Sequence, residues 1–431
     1  MSGNGAAGTA EGRPSFRAVF AVREFRPLFG TYTLSTIGDE LARVALTVLV
    51  YQRTDSPLLS AFTFALSFLP WALGGPVLAT IADRFPRQRV LVVSDVLRAG
   101  LVAAMAVPGT PLPVLLALLF AVSLCAPPFE SARSALMADV LEGERYAVAT
   151  SLTNVSLQVA QVVGFVAAGA LVTAFDPSVV LLLNAATFVV SALWLSVGLQ
   201  RRPAPIEPTD EPSSVWRETG EGLRLIGRSP RLVAIIGLLW TGTLFANAAE
   251  GIAAPLTDDL GEGAVALGVL LAANPLGVTV GGLVVARLLG TTRAERLMPV
   301  LVVLSLAPVL LAGLVALAAG PGRGAYGLVV ALLFVAGLGA SWTIPLNVAF
   351  VQAVPPAVRG RAFGVAVSGL YGVQGLGALG AGLAAERVPA AAVVAIAGGL
   401  GLVAVVPPLL ALARTRPAVA GRHRTAGPSV S

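Results

Sequence analysis

The sequence predicts an all-α integral membrane protein: twelve transmembrane helices arranged as two six-helix parallel repeats. Three observations predict it. The 431 residues are 56% hydrophobic and only 12% charged, whereas a soluble globular chain carries roughly 25% charged residues. The apolar residues gather into twelve runs, each long enough to cross a bilayer as a helix. The basic residues then fall almost wholly on one side of those runs.

Residues 1–26 are polar with scattered Arg, and lack an apolar core followed by a small-residue cleavage site, so they read as a retained cytoplasmic segment and not a cleaved signal peptide. A first half, 27–199, holds runs at 27–51, 58–82, 90–107, 113–137, 151–174 and 179–199. The longest polar interruption, 200–231, opens with Pro203, Pro205, Pro208 and Pro212 and reads as a linker ending in a short amphipathic helix near residues 216–226. A second half, 232–413, holds runs at 232–255, 265–288, 297–319, 327–353, 362–385 and 391–413, and 414–431 form a tail. All are expected to be helices, because an open strand edge in lipid leaves backbone groups unsatisfied.

Arginine placement sets the orientation. With the N-terminus, the even-to-odd connections and the tail on one side, that side holds 24 of the 29 Arg. The opposite side holds Arg53, Arg323 and Arg387, while Arg43 and Arg98 lie within runs. The positive-inside rule then places both termini and the linker in the cytoplasm. The halves also resemble each other: "GGPVLATIADRFPRQR" from Gly74 matches "GGLVVARLLGTTRAER" from Gly281 at an offset of 207, and "LLF" at Leu118 and Leu332 recurs at 214. Two units in the same orientation form the parallel repeat that transporters use.

Composition excludes several chemistries. All 29 basic residues are Arg and none is Lys, which removes a Walker-type phosphate loop and every lysine Schiff base. His423 is the single His and Cys125 the single Cys, so histidine metal clusters, Cys/His nucleophiles and intrachain disulfides are out. No enzyme activity, cofactor or metal is expected. The net charge of +6 sits in short strips between apolar runs and not on one soluble face, so no nucleic acid is expected as a partner. The expected partners are the lipid bilayer, a small-molecule substrate and protons, with a monomer as the working unit.

Charges inside a bilayer are costly, at least ~2.5–3.5 kcal/mol each at mid-depth. The first run carries Asp39, Glu40 and Arg43, spaced so that both acids reach the arginine on one helix face. One acid pairs with Arg43, and the other is surplus; the group is either a proton carrier or a self-neutralised structural cluster. Glu250, with Asn247 one turn before it, has no basic residue nearby on its own helix. It is the next proton-coupling candidate, protonated, wet, or paired across the halves with Arg43. Glu130 with Arg133 and Asp95 with Arg98 are each three apart and read as local salt bridges. Asn154, Gln158 and Gln161 form one stripe in the fifth run; Trp342, Asn347, Tyr371 and Gln374 lie in the tenth and eleventh. Such groups line a wet cavity or join helices. Pro127, Pro128, Pro275 and Pro345 can kink their helices.

Several stretches resemble the major facilitator superfamily, specifically its branch of drug, macrolide and siderophore exporters. Gly74, Gly75, Ala79, Asp83, Arg84, Arg87 and Arg89 match the family's signature loop G-x-x-x-(D/A)-R-x-x-R-R. "STIGDELARVALTVLVYQRTDSP", "FESARSALMADVLEGERYAVATSLTN" and "VPPAVRGRAFGV" are similar to that branch, and the resemblance covers all but the first ~20 and last ~18 residues. It implies that the signature loop (Gly74, Gly75, Asp83, Arg84, Arg87, Arg89) is a gate closing the cytoplasmic side onto the glycine-rich eleventh span. Pro86 stands where the family often has Gly or Asp, and Phe165 in "GFVAAG" replaces the proline of the antiporters' kinked element. The implied function is proton-coupled efflux of amphipathic small molecules by alternating access. An importer or facilitator of the same fold, or a non-transporting membrane sensor or assembly partner, are the alternatives. Abundant Ala, Gly, Pro and Arg with no Lys fits GC-rich coding, and hence a multi-pass protein of a bacterial inner membrane.

Overall fold

A computed structural model describes residues 16–72, 78, 84–141, 143–203, 215–355 and 358–415. Helix α1 (Phe16–Phe20) precedes α2 (Phe25–Thr54), whose last turn ends on Asp55 in the left-handed region at φ 50°. Ser56 then starts α3 (Pro57–Leu66): its Oγ accepts from the Leu59 N–H at 3.2 Å, with Pro57 at the first helical position. The capping side chain satisfies a donor that the helix cannot, and proline gives up an N–H that had no partner. The same start recurs twice. Asp176 caps α8 (Pro177–Gly198), and Ser229 caps α10 (Pro230–Ala246).

Between these, α4 (Arg87–Met105) follows Pro86, and α5 (Leu112–Leu124) and α6 (Ala126–Val140) form one path interrupted at Cys125, just before Pro127 and Pro128. Helix α7 (Glu144–Ala174) runs unbroken through Phe165. The amphipathic helix of the linker is α9 (Val215–Arg228). In the second half α10 continues through α11 (Ala248–Gly251) and α12 (Ala253–Asp259), with breaks at Asn247 and Ile252. Then come α13 (Ala264–Val284), a π-helical turn (Val285–Leu289), α14 (Gly290–Ala319), α15 (Arg323–Ala340), α16 (Thr343–Ala353), α17 (Arg359–Ala385), α18 (Ala390–Ala404) and α19 (Val406–Arg414).

Among the described residues, nine helical paths are long and apolar enough to cross a membrane. The first three of the twelve positions are taken by α2, α3 and α4. Helix α2 has the length, 30 residues, but Asp39, Glu40 and Arg43 interrupt its apolarity. Helix α4 carries Arg87, Arg89, Asp95 and Arg98. The fold is all-helical, two six-helix repeats.

The halves meet along two seams, α7 against α13 and α3 against α17. Exchanging the two halves turns one seam into the other, as a parallel repeat requires. Both seams bring backbone close to backbone. Gly268 lies against the backbone of Phe165 and Gly169; a Cβ on Gly169 would stand 2.6 Å from the Ala264 carbonyl oxygen; and one on Gly382 would stand 3.1 Å from Leu58 Cα. Small residues allow this approach where apolar association gains nothing from lipid. Among the glycines of α17, Gly369, Gly377 and Gly382 take close neighbours, whereas Gly364 and Gly380 face open space.

Core packing differs at the two ends. One large cluster, including Val44, Phe165, Ile252, Leu267 and Val394, is built from both halves at the end opposite the Arg-rich side. Among the described residues, the clusters at the Arg-rich end each belong to one half: Val19, Phe25 and Leu141 in the first, Leu232, Val302 and Phe350 in the second. The molecule is therefore clasped at one end.

Candidate functional site

At the junction of the halves lies a cavity of about 610 Å³, within the range of small-molecule sites. Its densest polar wall comes from α2. Tyr32, Ser35, Thr36, Asp39, Glu40 and Arg43 all line it, spaced at three, four and seven as one helix face requires. Arg43 Nη1 sits 3.2 Å from Glu40 Oε2, and the Gln161 amide donates to Glu40 Oε1 at 3.4 Å. Gly164 makes that contact possible, since a Cβ there would lie 2.6 Å from Glu40 Cβ. The Arg43 guanidinium also stands over the rings of Phe64 and Phe68, at 5.5 and 5.8 Å.

From the other half, Glu250 lines the same cavity and interacts through space with Arg43 and Glu40. Its place follows from the break at Asn247, which sets α11 off as a turn of its own. At the repeat offset of 207, Glu250 is the counterpart of Arg43, and Asn247 the counterpart of Glu40. One repeat thus presents an acid where the other presents its base.

Asp39 lines the cavity in the field of Arg98 and Arg43. Arg98 lies 3.9 Å from Asp95, which accepts from the Ser191 hydroxyl, and between the rings of Phe129 and Phe188 at 4.9 and 5.4 Å. Arg133 pairs with Glu130 through two nitrogens, one at 3.0 Å, and sits 3.9 Å over the Tyr32 ring. Both local salt bridges are formed, yet Arg98, Glu130 and Arg133 also face the cavity. Arg133, 5% exposed, lies within the fourth membrane path as its place in the run 113–137 implies, although the sequence count groups it with the Arg-rich side.

Asn154, Gln158, Gln161, Asn247, Tyr371 and Gln374 all line the cavity, with Asn154 exposed on its Arg-rich side. Trp342 and Asn347 do not. Trp342 is 3% exposed in the core of the second half, where its ring meets Gly242 and its Nε1 donates to Ser305 Oγ at 3.2 Å. Asn347 is exposed and is not among the lining residues. Sequence reasoning passed over Tyr32, Ser35, Asn184, Asn274, Phe68 and Trp71, which the structure adds to the wall. The seven-residue step from Tyr32 to Asp39 was the available signal for the first.

Of the signature loop, Gly74, Gly75 and Asp83 lie outside the described residues. Arg84 and Arg89 are exposed, and Arg87 pairs with Asp139 of its own half. At the other end, Glu386 ties the halves together: its carboxylate accepts from the Ser56 hydroxyl at 2.5 Å and from the Leu58 N–H at 3.0 Å. These donors hold Glu386 below its ordinary value of 4.5. No three His, Cys, Asp or Glu side chains gather to hold a metal among the described residues.

The Major Facilitator Superfamily profile matches residues 28–318, well over half of the chain. The chain belongs to the major facilitator superfamily. It is 29% identical over 218 residues to the uncharacterized MFS-type transporter YfiS of Bacillus subtilis (strain 168), over 49% of this chain and 51% of that protein. The matched stretch thus spans about half the length of that relative. In fold it is similar to a POT family transporter crystallised with 5-aminolevulinic acid, with a TM-score of 0.75 at 14% identity, over 94% of this chain and 99% of the other. It is likewise similar to the nucleoside transporter NupG, at 0.71 and 13%, over 90% and 99%. These likenesses carry the fold alone. The protein is a multi-pass membrane transporter of the major facilitator type.

Proposed function

We propose that this facilitator is a proton-coupled exporter of amphipathic small molecules, working by alternating access in a bacterial inner membrane with both termini in the cytoplasm. The observation that carries the reading is one cavity lined by the Arg43–Glu40 pair of the first half and by Glu250 of the second. While both acids are ionised, attraction of Glu250 to Arg43 across the cavity holds the halves in register. Protonating Glu250 or Glu40 removes one attraction and biases the halves toward the other facing. Asp39, on the same wall, is a second acceptor for the proton. The cavity polar groups Asn154, Gln158, Gln161, Asn247, Tyr371 and Gln374 offer the substrate hydrogen bonds and a ring face.

With the Arg-rich end taken as cytoplasmic, the shared core and the Glu386 tie lie outside, and the cavity faces inward, ready for substrate from the cytoplasm. In the opposite facing, the signature loop with Asp83, Arg84 and Arg87 closes the inner side onto α17. Export as the direction rests on the similarity of the signature loop and the first and fourth spans to exporters. The test is efflux from cells expressing the protein, with and without an uncoupler. Efflux should stop when the proton gradient collapses and should be lost in Glu250→Gln. Efflux indifferent to the uncoupler, or solute accumulating inside, would overturn the reading.

A further inference from the structure

We propose that a groove at the rim opposite the Arg-rich end, apart from the central cavity, holds the headgroup of a zwitterionic aminophospholipid, with its phosphate on Arg323 and its ammonium on Glu262. The site is independent of what the protein carries and of the direction in which it carries it.

Arg323 is one of the three arginines that break the one-sided pattern of the sequence. The other two have neighbours that account for them: Arg53 donates to the Thr110 carbonyl at 3.1 Å, and Arg387 follows Glu386 of the tie between the halves. Arg323 is exposed, and its side chain has no ion pair among the described residues. It lines a groove of about 560 Å³ with Thr173, Glu262, Val265, Val269 and Tyr326. None of these residues belongs to the wall of the central cavity.

The chain builds this groove from two adjoining turns. Glu262 sits between α12 and α13, just after Gly261, which takes the left-handed conformation at φ 74°. Gly322, directly before α15, donates its N–H to the Leu260 carbonyl at 3.1 Å. A Cβ on Gly261 would stand 3.4 Å from Pro321 Cβ. The turns are thus held side by side, and they bring Glu262 and Arg323 to one groove without joining them in an ion pair. The Tyr326 hydroxyl donates to the Ala266 carbonyl at 2.9 Å, which leaves its oxygen free to accept. Thr173 comes from the last turn of α7, so the groove crosses the α7–α13 seam at its rim.

One guanidinium and one carboxylate, not spent on each other, suit a ligand that carries both charges. A net anion would satisfy Arg323 and meet repulsion from Glu262, and a net cation would do the reverse. Phosphate matches the guanidinium fork. A primary ammonium brings three N–H donors to the Glu262 carboxylate and the Tyr326 oxygen, whereas a quaternary ammonium has none. The rest of the wall points to the bilayer as the source. Val265 and Val269 are 49% and 36% exposed and four apart on α13, on one helix face. They run from the polar pair toward the membrane interior, where acyl chains cover apolar surface. Thr173, Ala264 and Arg323 stand at helix ends, the depth at which headgroups meet chains. An occupant with a zwitterion at the rim and tails below it is a phospholipid of that leaflet.

The test uses the purified full chain in nanodiscs doped with photoactivatable phospholipids. Three probes carry the same diazirine near the start of one acyl chain and differ only in headgroup: ethanolamine, choline or glycerol. Cross-links are mapped by peptide mass spectrometry. Adducts on residues 262–269 and 323–326 should form about threefold more often with the ethanolamine lipid than with either other, as expected of a partly exposed ion pair. Glu262→Gln and Arg323→Gln should each lower that labelling about threefold, and Glu262→Gln should raise labelling by the glycerol lipid. Gly263→Leu should also lower it, because a Cβ there would meet nothing within 4 Å and the added side chain takes the space of the groove. Equal labelling by the three lipids, or labelling unchanged in folded Glu262→Gln and Arg323→Gln, would overturn the proposal. Soluble phosphoethanolamine in excess should leave the adducts in place. Displacement by it would overturn the lipid as occupant and assign the groove to a free zwitterion.

Discussion

Replacing Gly169 by alanine should open the end of the molecule that is clasped. The new Cβ would stand 2.6 Å from the Ala264 carbonyl oxygen and 3.1 Å from Val265 Cα, where ordinary contact begins at 3.4 Å, so α13 must withdraw by about 0.8 Å. The opposing atoms are backbone, and no rotamer change relieves them. Overpacking of this kind costs about 1–3 kcal/mol. The cost falls on the clasped arrangement alone if the α7–α13 seam parts at this end during transport. At 1.4 kcal/mol per tenfold, the ratio of clasped to open molecules then drops roughly 5- to 150-fold. Spin labels at Phe175→Cys and Arg387→Cys, both exposed outer positions, in a Cys125→Ser background, report the separation of the halves. The distance distribution should shift to longer values in Gly169→Ala, and stay put in Gly380→Ala, whose Cβ would meet nothing within 4 Å. A folded Gly169→Ala protein with the parent distribution would sink the idea that this seam moves.

Three further outcomes are expected. Glu386 is held below 4.5 by its donors, so its tie is fully present above that value and lost as pH falls through the lowered one; the same labels should show a decline of the clasped population below 4.5 that is absent in Glu386→Gln. Glu130→Ala strands the buried Arg133 guanidinium beneath Tyr32 and should cost about 3–5 kcal/mol, read as a lower melting temperature, while Glu130→Leu/Arg133→Met should recover most of it. Trp342→Phe removes the bond to Ser305 and should cost about 1 kcal/mol, read as a lower melting temperature, while leaving efflux per folded molecule unchanged, because Trp342 lies outside the cavity wall.

Much of this was legible along the chain, for reasons that differ by residue. Apolar run length names a membrane helix wherever charge does not interrupt it, and where it does, in α2, the interruption is itself the site. Asn154, Gln158 and Gln161 were readable as cavity residues because their spacing puts them on one face. Trp342 and Tyr371 carried no such information: an isolated amphipathic ring meets core or cavity according to how its helix is rotated, which packing decides. Gly242 takes the Trp342 ring into the core, and Trp71 takes Tyr371 to the cavity. The breaks at Cys125, Ile252 and Ser341 were hidden for a related reason. Prolines within a membrane helix are tolerated where neighbours satisfy the freed carbonyls, so sequence alone does not say which of them end a helix. The sequence left Glu250 protonated, wet or paired across the halves with Arg43, and the structure places both residues on one cavity wall.

The absence of lysine from the chain has a final consequence at the cavity. A guanidinium keeps its proton at any pH a cell meets, whereas a buried lysine gives its proton up readily. The three arginines are therefore constants, and titration in the cavity is confined to carboxylates. With the five carboxylates Asp39, Glu40, Asp95, Glu130 and Glu250 ionised beside Arg43, Arg98 and Arg133, the net charge of the wall is −2. Each proton the wall takes up therefore changes its charge by one whole unit, with no arginine able to offset it.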